Sequence, residues 1–189
     1  STLLPNSTYQ ADSNNYVVRI NGGKYLRFHK MTFQSNTANG APYARIIDLM
    51  GGWDYLTIDS CALSGAPGAG GAVSQYLVST SGTVAYRQCV INGNTFTNGS
   101  YGLCLQGISG TVLCKGLQVT NNVFATLYGG IFLQYHDAPV VSGNIITSGS
   151  YIGIEVDYSV NGIQVVKNKI ALTNGSYGIA VYYSAGGLG

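Results

Sequence analysis

The stretch Leu117-Gln118-Val119-Thr120-Asn121-Asn122-Val123-Phe124 holds a frame that recurs along the chain. An apolar residue (Leu117) is followed two positions on by another (Val119), three further by a polar one (Asn122), and two beyond by a third apolar residue (Phe124). Pro139, Val141, Asn144 and Ile146 repeat it, as do Ile163, Val165, Asn168 and Ile170. Towards the N-terminus, Cys89, Ile91, Asn94 and Phe96 fit. Leu56, Ile58, Cys61 and Leu63 keep all but the polar slot, and so do Leu26, Phe28, Met31 and Phe33.

The copies start at residues 26, 56, 89, 117, 139 and 163, in steps of 30, 33, 28, 22 and 24. Such a step holds two or three short strands with their turns, one coil of a solenoid, and falls short of a propeller blade of about 40 residues. Stacking the copies at about 4.8 Å per coil makes continuous columns. One is Phe28, Ile58, Ile91, Val119, Val141, Val165; another is Phe33, Leu63, Phe96, Phe124, Ile146, Ile170. The polar slot gives Met31, Cys61, then Asn94, Asn122, Asn144 and Asn168, a ladder whose amides can bond along the stack and to turn backbone. A second strand follows in the later coils: Tyr101–Leu105, Gly129–Leu133, Ile152–Val156 and Tyr177–Val181. Alternation turns Leu103, Ile131, Ile154 and Ile179 inward, with Leu105, Leu133, Val156 and Val181 beside them. The Gly near the start of each strand is read as allowing a sharp corner. An antiparallel sandwich also has many short strands, but nothing in it requires Asn in one slot four times. The expected fold is all-β, a single-stranded right-handed parallel β-helix of about six coils.

Composition agrees. The 27 Gly serve turns, and 15 Tyr suit strands. Hydrophobic residues at 46% and charged residues at 8% exclude a disordered chain. No apolar run reaches the roughly 18 residues of a membrane span, and a net charge of +2 gives no electrostatic case for nucleic acid. One domain over residues 1–189 is expected, with residues 1–15 as a candidate N-terminal cap. Segments 35–42 and 64–71 read as protruding loops. The opening residues show no charged stretch followed by an apolar one of the signal-peptide kind, and both this start and the end after an apparent strand are read as those of a mature or excised piece of a longer protein.

The runs Tyr16-Val17-Val18-Arg19-Ile20-Asn21-Gly22 with Tyr25-Leu26-Arg27-Phe28, Ala138–Ile146 and Gln164–Ile170 resemble the right-handed β-helix repeats of large secreted, Bacteroidetes-type surface proteins. The resemblance implies a multi-domain, exported parent without known activity. More broadly the implied fold is similar to that of pectate lyases and polygalacturonases, so the chemistry must be read residue by residue.

The acids are Asp12, Asp48, Asp54, Asp59, Asp137, Glu155 and Asp157. A lyase of the pectate type needs clustered carboxylates for Ca²⁺. Here only Glu155 and Asp157 share one outer strand face, with Phe132, Gln134, Ala180 and Tyr182 as stacked neighbours. The Asn-Thr-Asp, Asp-Asp, Gly-His-Gly and Arg-Ile-Lys signatures of polygalacturonases are absent. His136 beside Asp137 is read as a surface histidine at a turn, and His29 as outward beside Arg27. No His/Cys spacing suits a metal. Cys61 and Cys89 fit inward columns, Cys104 should face outward and Cys114 lies near a turn; their disulfide state stays open. Tyr135, Tyr158 and Tyr183 recur after the second strand, with Tyr182 beside the last, and can stack on sugar rings or on each other. The candidate binding surface is therefore Gln134, Tyr135, Glu155, Asp157, Tyr158, Tyr182 and Tyr183, without cofactor or metal. The expected role is a non-catalytic structural or adhesive module, extracellular or on a cell surface. Its partners would be glycan or neighbouring subunits stacked end to end, with no nucleic acid and no membrane insertion. The alternative is a polysaccharide lyase or glycoside hydrolase whose site is incomplete in this segment.

Overall fold

The backbone turns the same corners coil after coil, and the residues at those corners determine the architecture. The structure, a computed structural model, describes residues 2–3, 15–35, 43–67, 70–81, 84–109, 111–125, 127–147, 151–175 and 177–184. Each coil contributes a strand to three walls. The first wall holds Arg27–His29, the C-terminal half of Ile47–Asp59, Tyr86–Asn92, Cys114–Thr120, Val140–Ser142 and Gln164–Val166. The second is a seven-stranded sheet of Thr2–Leu3, Thr32–Gln34, Ala62–Ser64, Thr95–Thr97, Val123–Ala125, Ile145–Thr147 and Lys169–Ile170. The third holds the N-terminal half of Val18–Lys24 and of Ile47–Asp59, then Val78–Thr80, Tyr101–Gln106, Gly129–Gln134, Ile152–Asp157 and Tyr177–Tyr182. Every pairing between these strands is parallel. The long strand Ile47–Asp59 passes from third wall to first at Gly51 and Gly52, whose φ of +69° and +68° only glycine adopts without strain. This is a right-handed parallel β-helix.

The apolar columns are in register. Phe28 faces Ile58, then Ile91, Val119, Val141 and Val165. Phe33 faces Leu63, then Phe96, Phe124, Ile146 and Ile170, with Phe96 and Phe124 stacked at 4.7 Å. In the third wall Leu103, Ile131, Ile154 and Ile179 align, as do Leu105, Leu133, Val156 and Val181. Because successive coils cover each other, the column side chains of the inner coils are fully buried in one core running along the axis, whereas Phe28, Val165 and Ile170 are partly buried and Ile179 and Val181 exposed.

Between first and second walls the chain turns on two residues. The leading one is left-handed in every coil: Lys30, Ser60, Gly93, Asn121, Gly143 and Lys167 all have φ between 53° and 67°. The next is the polar slot. The amides of Asn94, Asn122 and Asn144 each donate twice, to the next Asn Oδ1 and to a carbonyl of the coil before, and Asn168 donates to the Val141 carbonyl. Asn122 Nδ2 meets Asn144 Oδ1 at 3.0 Å and the Ile91 carbonyl at 2.9 Å. Asn94 and Asn144 repeat this with Asn122 and Asn168 at 3.0 and 2.9 Å. Each Oδ1 also accepts the backbone N–H of the preceding rung, as Asn122 Oδ1 does from Asn94 at 2.9 Å. At Cys61 the thiol stands in for the amide, 3.6 Å from the Phe28 carbonyl, and its N–H reaches Asn94 Oδ1 at 2.8 Å.

Several readings of the sequence need correction. His136 is not on the surface: it is fully buried, in register with Cys114, and its Nε2 bonds the Tyr86 hydroxyl. Tyr86 in turn stacks on Trp53 at 4.0 Å. The strand puts His136 inward and Asp137 outward, so the sequence neighbours part. Cys104 does lie in an outer column, beside Phe132, yet Tyr76, Tyr101 and their neighbours cover it. Gly102, Gly130 and Gly153 sit within strands without positive φ, and the reason for them is close approach. A Cβ on Gly153 would lie 2.5 Å from the Gly178 carbonyl oxygen and 2.8 Å from Ile170. Segment 64–71 is only partly a loop, since Ser64 ends a second-wall strand and Ala66 is buried against Ala44. Most of segment 35–42, most of the candidate cap 1–15 and the end after residue 184 lie outside the described residues; the cap's Thr2–Leu3 pairs with Thr32–Phe33 as a further second-wall rung.

Candidate functional site

The outer face of the third wall brings most of the candidate residues together. Register lines up Gln106, Gln134, Asp157 and Tyr182 in one column, and Cys104, Phe132, Glu155 and Ala180 in the adjoining one. Gln106 Nε2 donates to Gln134 Oε1 at 3.2 Å, so the column begins as an amide ladder and continues as a carboxylate and a phenol. Glu155 and Asp157, two apart, point the same way. Burial raises the Glu155 carboxyl above its ordinary range, and the neighbouring Asp157 charge adds to this. Burial likewise raises Asp157, whose Oδ1 is enclosed and meets no donor among the described residues.

Tyrosine ridges flank this floor on both sides. At the C-terminal corner Tyr135 and Tyr158 stack with centroids 5.3 Å apart, and Tyr158 and Tyr183 at 4.9 Å. All three are left-handed, with φ of 61°, 46° and 48°, an uncommon state for a bulky residue. The equivalent slot one coil earlier is Gly107, where a Cβ would lie 2.7 Å from the Tyr135 carbonyl oxygen. At the N-terminal corner Tyr128 and Tyr151 stack at 5.2 Å. Sequence reasoning missed this second ridge. The signal was present: a Tyr stands three residues before both Ile131 and Ile154. Rings exposed on one side and stacked on the other present flat apolar edges to solvent beside hydrogen-bonding groups. Such a surface can hold a ligand with apolar faces and hydroxyl edges.

Two other carboxylates are held in ion pairs on the fold. Asp48 is wholly buried and takes Arg19 at 2.7 Å, Arg45 at 3.5 Å and the Ser81 hydroxyl. Nothing in the sequence marked this cluster, in which Arg19 and Ser81 come from coils before and after the one that holds Arg45 and Asp48. Asp59 accepts from Nε and Nη2 of Arg27, at 2.9 and 3.1 Å, and lies 2.5 Å from His29 Nδ1. The hydrogen bond from Arg27 leads in lowering its carboxyl to about 2. His29 faces outward as expected, but as a partner of Asp59. All four cysteines are free and buried. Burial pushes every thiol up, Cys114 to about 11 and Cys104 to about 12, so none is a ready nucleophile. Among the described residues no three His, Cys, Asp or Glu are grouped to hold a metal ion, and no helix is long and apolar enough to cross a membrane.

The family described as a right-handed β-helix region matches residues 47–188. No curated protein and no solved structure matches the chain.

Proposed function

The chain belongs to the right-handed β-helix family, and from that premise we propose that it is a non-catalytic structural or adhesive module that binds glycan on the outer face of its third wall. The observation that carries this reading is the pair of stacked tyrosine ridges, Tyr128–Tyr151 and Tyr135–Tyr158–Tyr183, with Gln134, Glu155, Asp157 and Tyr182 between them. Sugar rings lie on the tyrosines, and the amide and carboxyl groups take the hydroxyls. Contacts this open give weak binding, and repetition along an extended array raises avidity without new contacts. A role at the outside of a cell, in an exported protein, suits a rigid rod that presents such a face.

The test is calorimetric titration with neutral and acidic oligosaccharides. Saturable binding that falls at least about fivefold in Tyr158→Ala, the middle rung, supports the reading; a tyrosine–ligand contact of about 1 kcal/mol gives that factor. Absence of binding across the series counts against it. One observation favours a second reading. The two carboxyls raised by burial on one face are the kind of pair that glycoside hydrolysis uses as acid and base. Turnover of a polysaccharide that disappears in Glu155→Gln would decide for the enzyme.

A further inference from the structure

On the first wall, away from the tyrosine ridges, charged residues form a row that neither the repeat nor the glycan face uses. Register places Lys24 beside Asp54, Asp54 beside Arg87, Arg87 beside Lys115 and Lys115 beside Asp137. The order is therefore plus, minus, plus, plus, minus. Lys24 pairs with Asp54 at 3.8 Å, and Lys115 with Asp137 at 3.4 Å. Asn161 Nδ2 closes the row on Asp137 Oδ1 at 2.8 Å. Among the described residues Arg87 makes no ion pair, although it lies in register between Asp54 and Lys115. Two cations side by side at the strand spacing of about 4.8 Å repel each other.

A recess of about 540 Å³ opens at this like-charged step. Asp54, Arg87 and Lys115 line it from the wall, and Thr111, Val112 and Leu113 complete its lining. Beside this lining Val112 N–H meets the Ser109 carbonyl at 3.2 Å and the Ser109 and Thr111 hydroxyls lie 3.0 Å apart. Beyond the recess, the residues that follow Lys24 and Asp54, Tyr25 and Tyr55, stack at 4.8 Å and are exposed.

We propose that this recess is an oxyanion site, in which Arg87 and Lys115 together bind a sulfate, phosphate or carboxylate group. The planar fork of Arg87 suits two oxygens at once, and Lys115 adds a point charge from the neighbouring coil. The anion supplies the negative charge that the row lacks at this one step. Asp54, in register with Arg87 on the other side, keeps the recess from being a general polyanion surface and restricts it to one charged group. The same anion can arrive free or carried on a polymer.

Titrate the protein with sodium sulfate, and separately with sodium phosphate and acetate, against sodium chloride at matched ionic strength, following amide shifts by NMR. The expected result is saturable binding of at least one oxyanion at millimolar concentration, with shifts centred on residues 86–88 and 111–115. Arg87→Gln and Lys115→Gln should each weaken it at least about tenfold, the factor that follows from losing a charged hydrogen bond. Lys167→Gln, an exposed lysine elsewhere, should leave it unchanged, and unaltered thermal melting in chloride verifies that the variants fold. Sulfated dextran forms the second arm: tighter binding than sulfate, lost in the same two variants, identifies a polymer-borne group, and equal strength per sulfate identifies the free ion. The proposal is overturned if no oxyanion saturates, or if binding persists in Arg87→Gln and Lys115→Gln together.

Discussion

At the scale of single residues, the asparagines of the polar slot do what a backbone at a tight corner cannot do alone. Asn122 makes four bonds, two through Nδ2 and two through Oδ1, each satisfying a buried group on another coil. Asn122→Ala leaves those partners unpaired and is expected to cost about 1–3 kcal/mol, read as a lowered denaturant midpoint. A variant as stable as the parent would show that the ladder is ornamental. The slot was legible because Asn recurs at fixed offsets; that Cys61 can occupy it was not, because only the structure reveals a thiol reaching the Phe28 carbonyl. His136 was misread for the converse reason, since a polar residue beside Asp137 gives no sign of facing Tyr86 in the core. Burial lowers its pKa to about 3, against about 6.5 in an unfolded chain. Above pH 6.5 neither state protonates it. Between 6.5 and 3 only the unfolded chain does, so stability falls as pH falls, by up to about 1.4 kcal/mol per unit. Glu155 and Asp157, raised in the folded state, contribute with the opposite sign. The difference between parent and His136→Gln isolates the histidine: the parent should lose stability more steeply from pH 6.5 to 5, and equal slopes would refute its burial as a neutral ring.

At the scale of strands and turns, the later coils were readable and the earlier ones only in part. The frame of Leu117, Val119, Asn122 and Phe124 marks first and second walls throughout. Third-wall strands were found only where a Gly opens them, at residues 102, 130, 153 and 178; Val18–Ile20, Ile47–Leu49 and Val78–Thr80 complete that wall without such a mark. The left-handed corners were equally hidden. Five of the residues with positive φ are tyrosines, Tyr25, Tyr55, Tyr135, Tyr158 and Tyr183. Local preference favours Gly or Asn there, and each of these tyrosines is stacked on another in the neighbouring coil. The in-strand glycines serve tight stacking, which yields a direct comparison. Gly153→Ala must push a methyl group onto the Gly178 carbonyl and Ile170, and should cost about 1–3 kcal/mol in thermal or denaturant unfolding. Gly70→Ala, with nothing within 4 Å of its added carbon, should change stability by less than about 0.5 kcal/mol.

At the scale of the whole molecule, the solenoid is a rod whose core is covered by its own successive coils. Ile154 and Val156 are fully buried, whereas Ile179 and Val181, their partners in the last described third-wall strand, are 49% and 50% exposed. Among the described residues Tyr177–Tyr182 pairs on one side only, and such an apolar strand edge invites another strand. The isolated chain should therefore associate as concentration rises in sedimentation velocity, and Ile179→Lys with Val181→Lys should hold it monomeric. A parent chain that stays monomeric throughout would show the end to be self-sufficient. Along the rod, the third-wall face carries the functional claim. Half of its character was legible in the recurring Tyr135, Tyr158 and Tyr183; the second ridge at Tyr128 and Tyr151, and the burial that raises Glu155 and Asp157, required the coils to be stacked. The most direct test maps an oligosaccharide series onto the chain by NMR while the sugar itself is assayed for cleavage. Binding at this face without turnover gives shifts confined to residues 127–135, 151–158 and 177–183, with every oligosaccharide recovered intact. Shifts scattered over other walls, or sugar chains shortened in a reaction that Glu155→Gln abolishes, would contradict it.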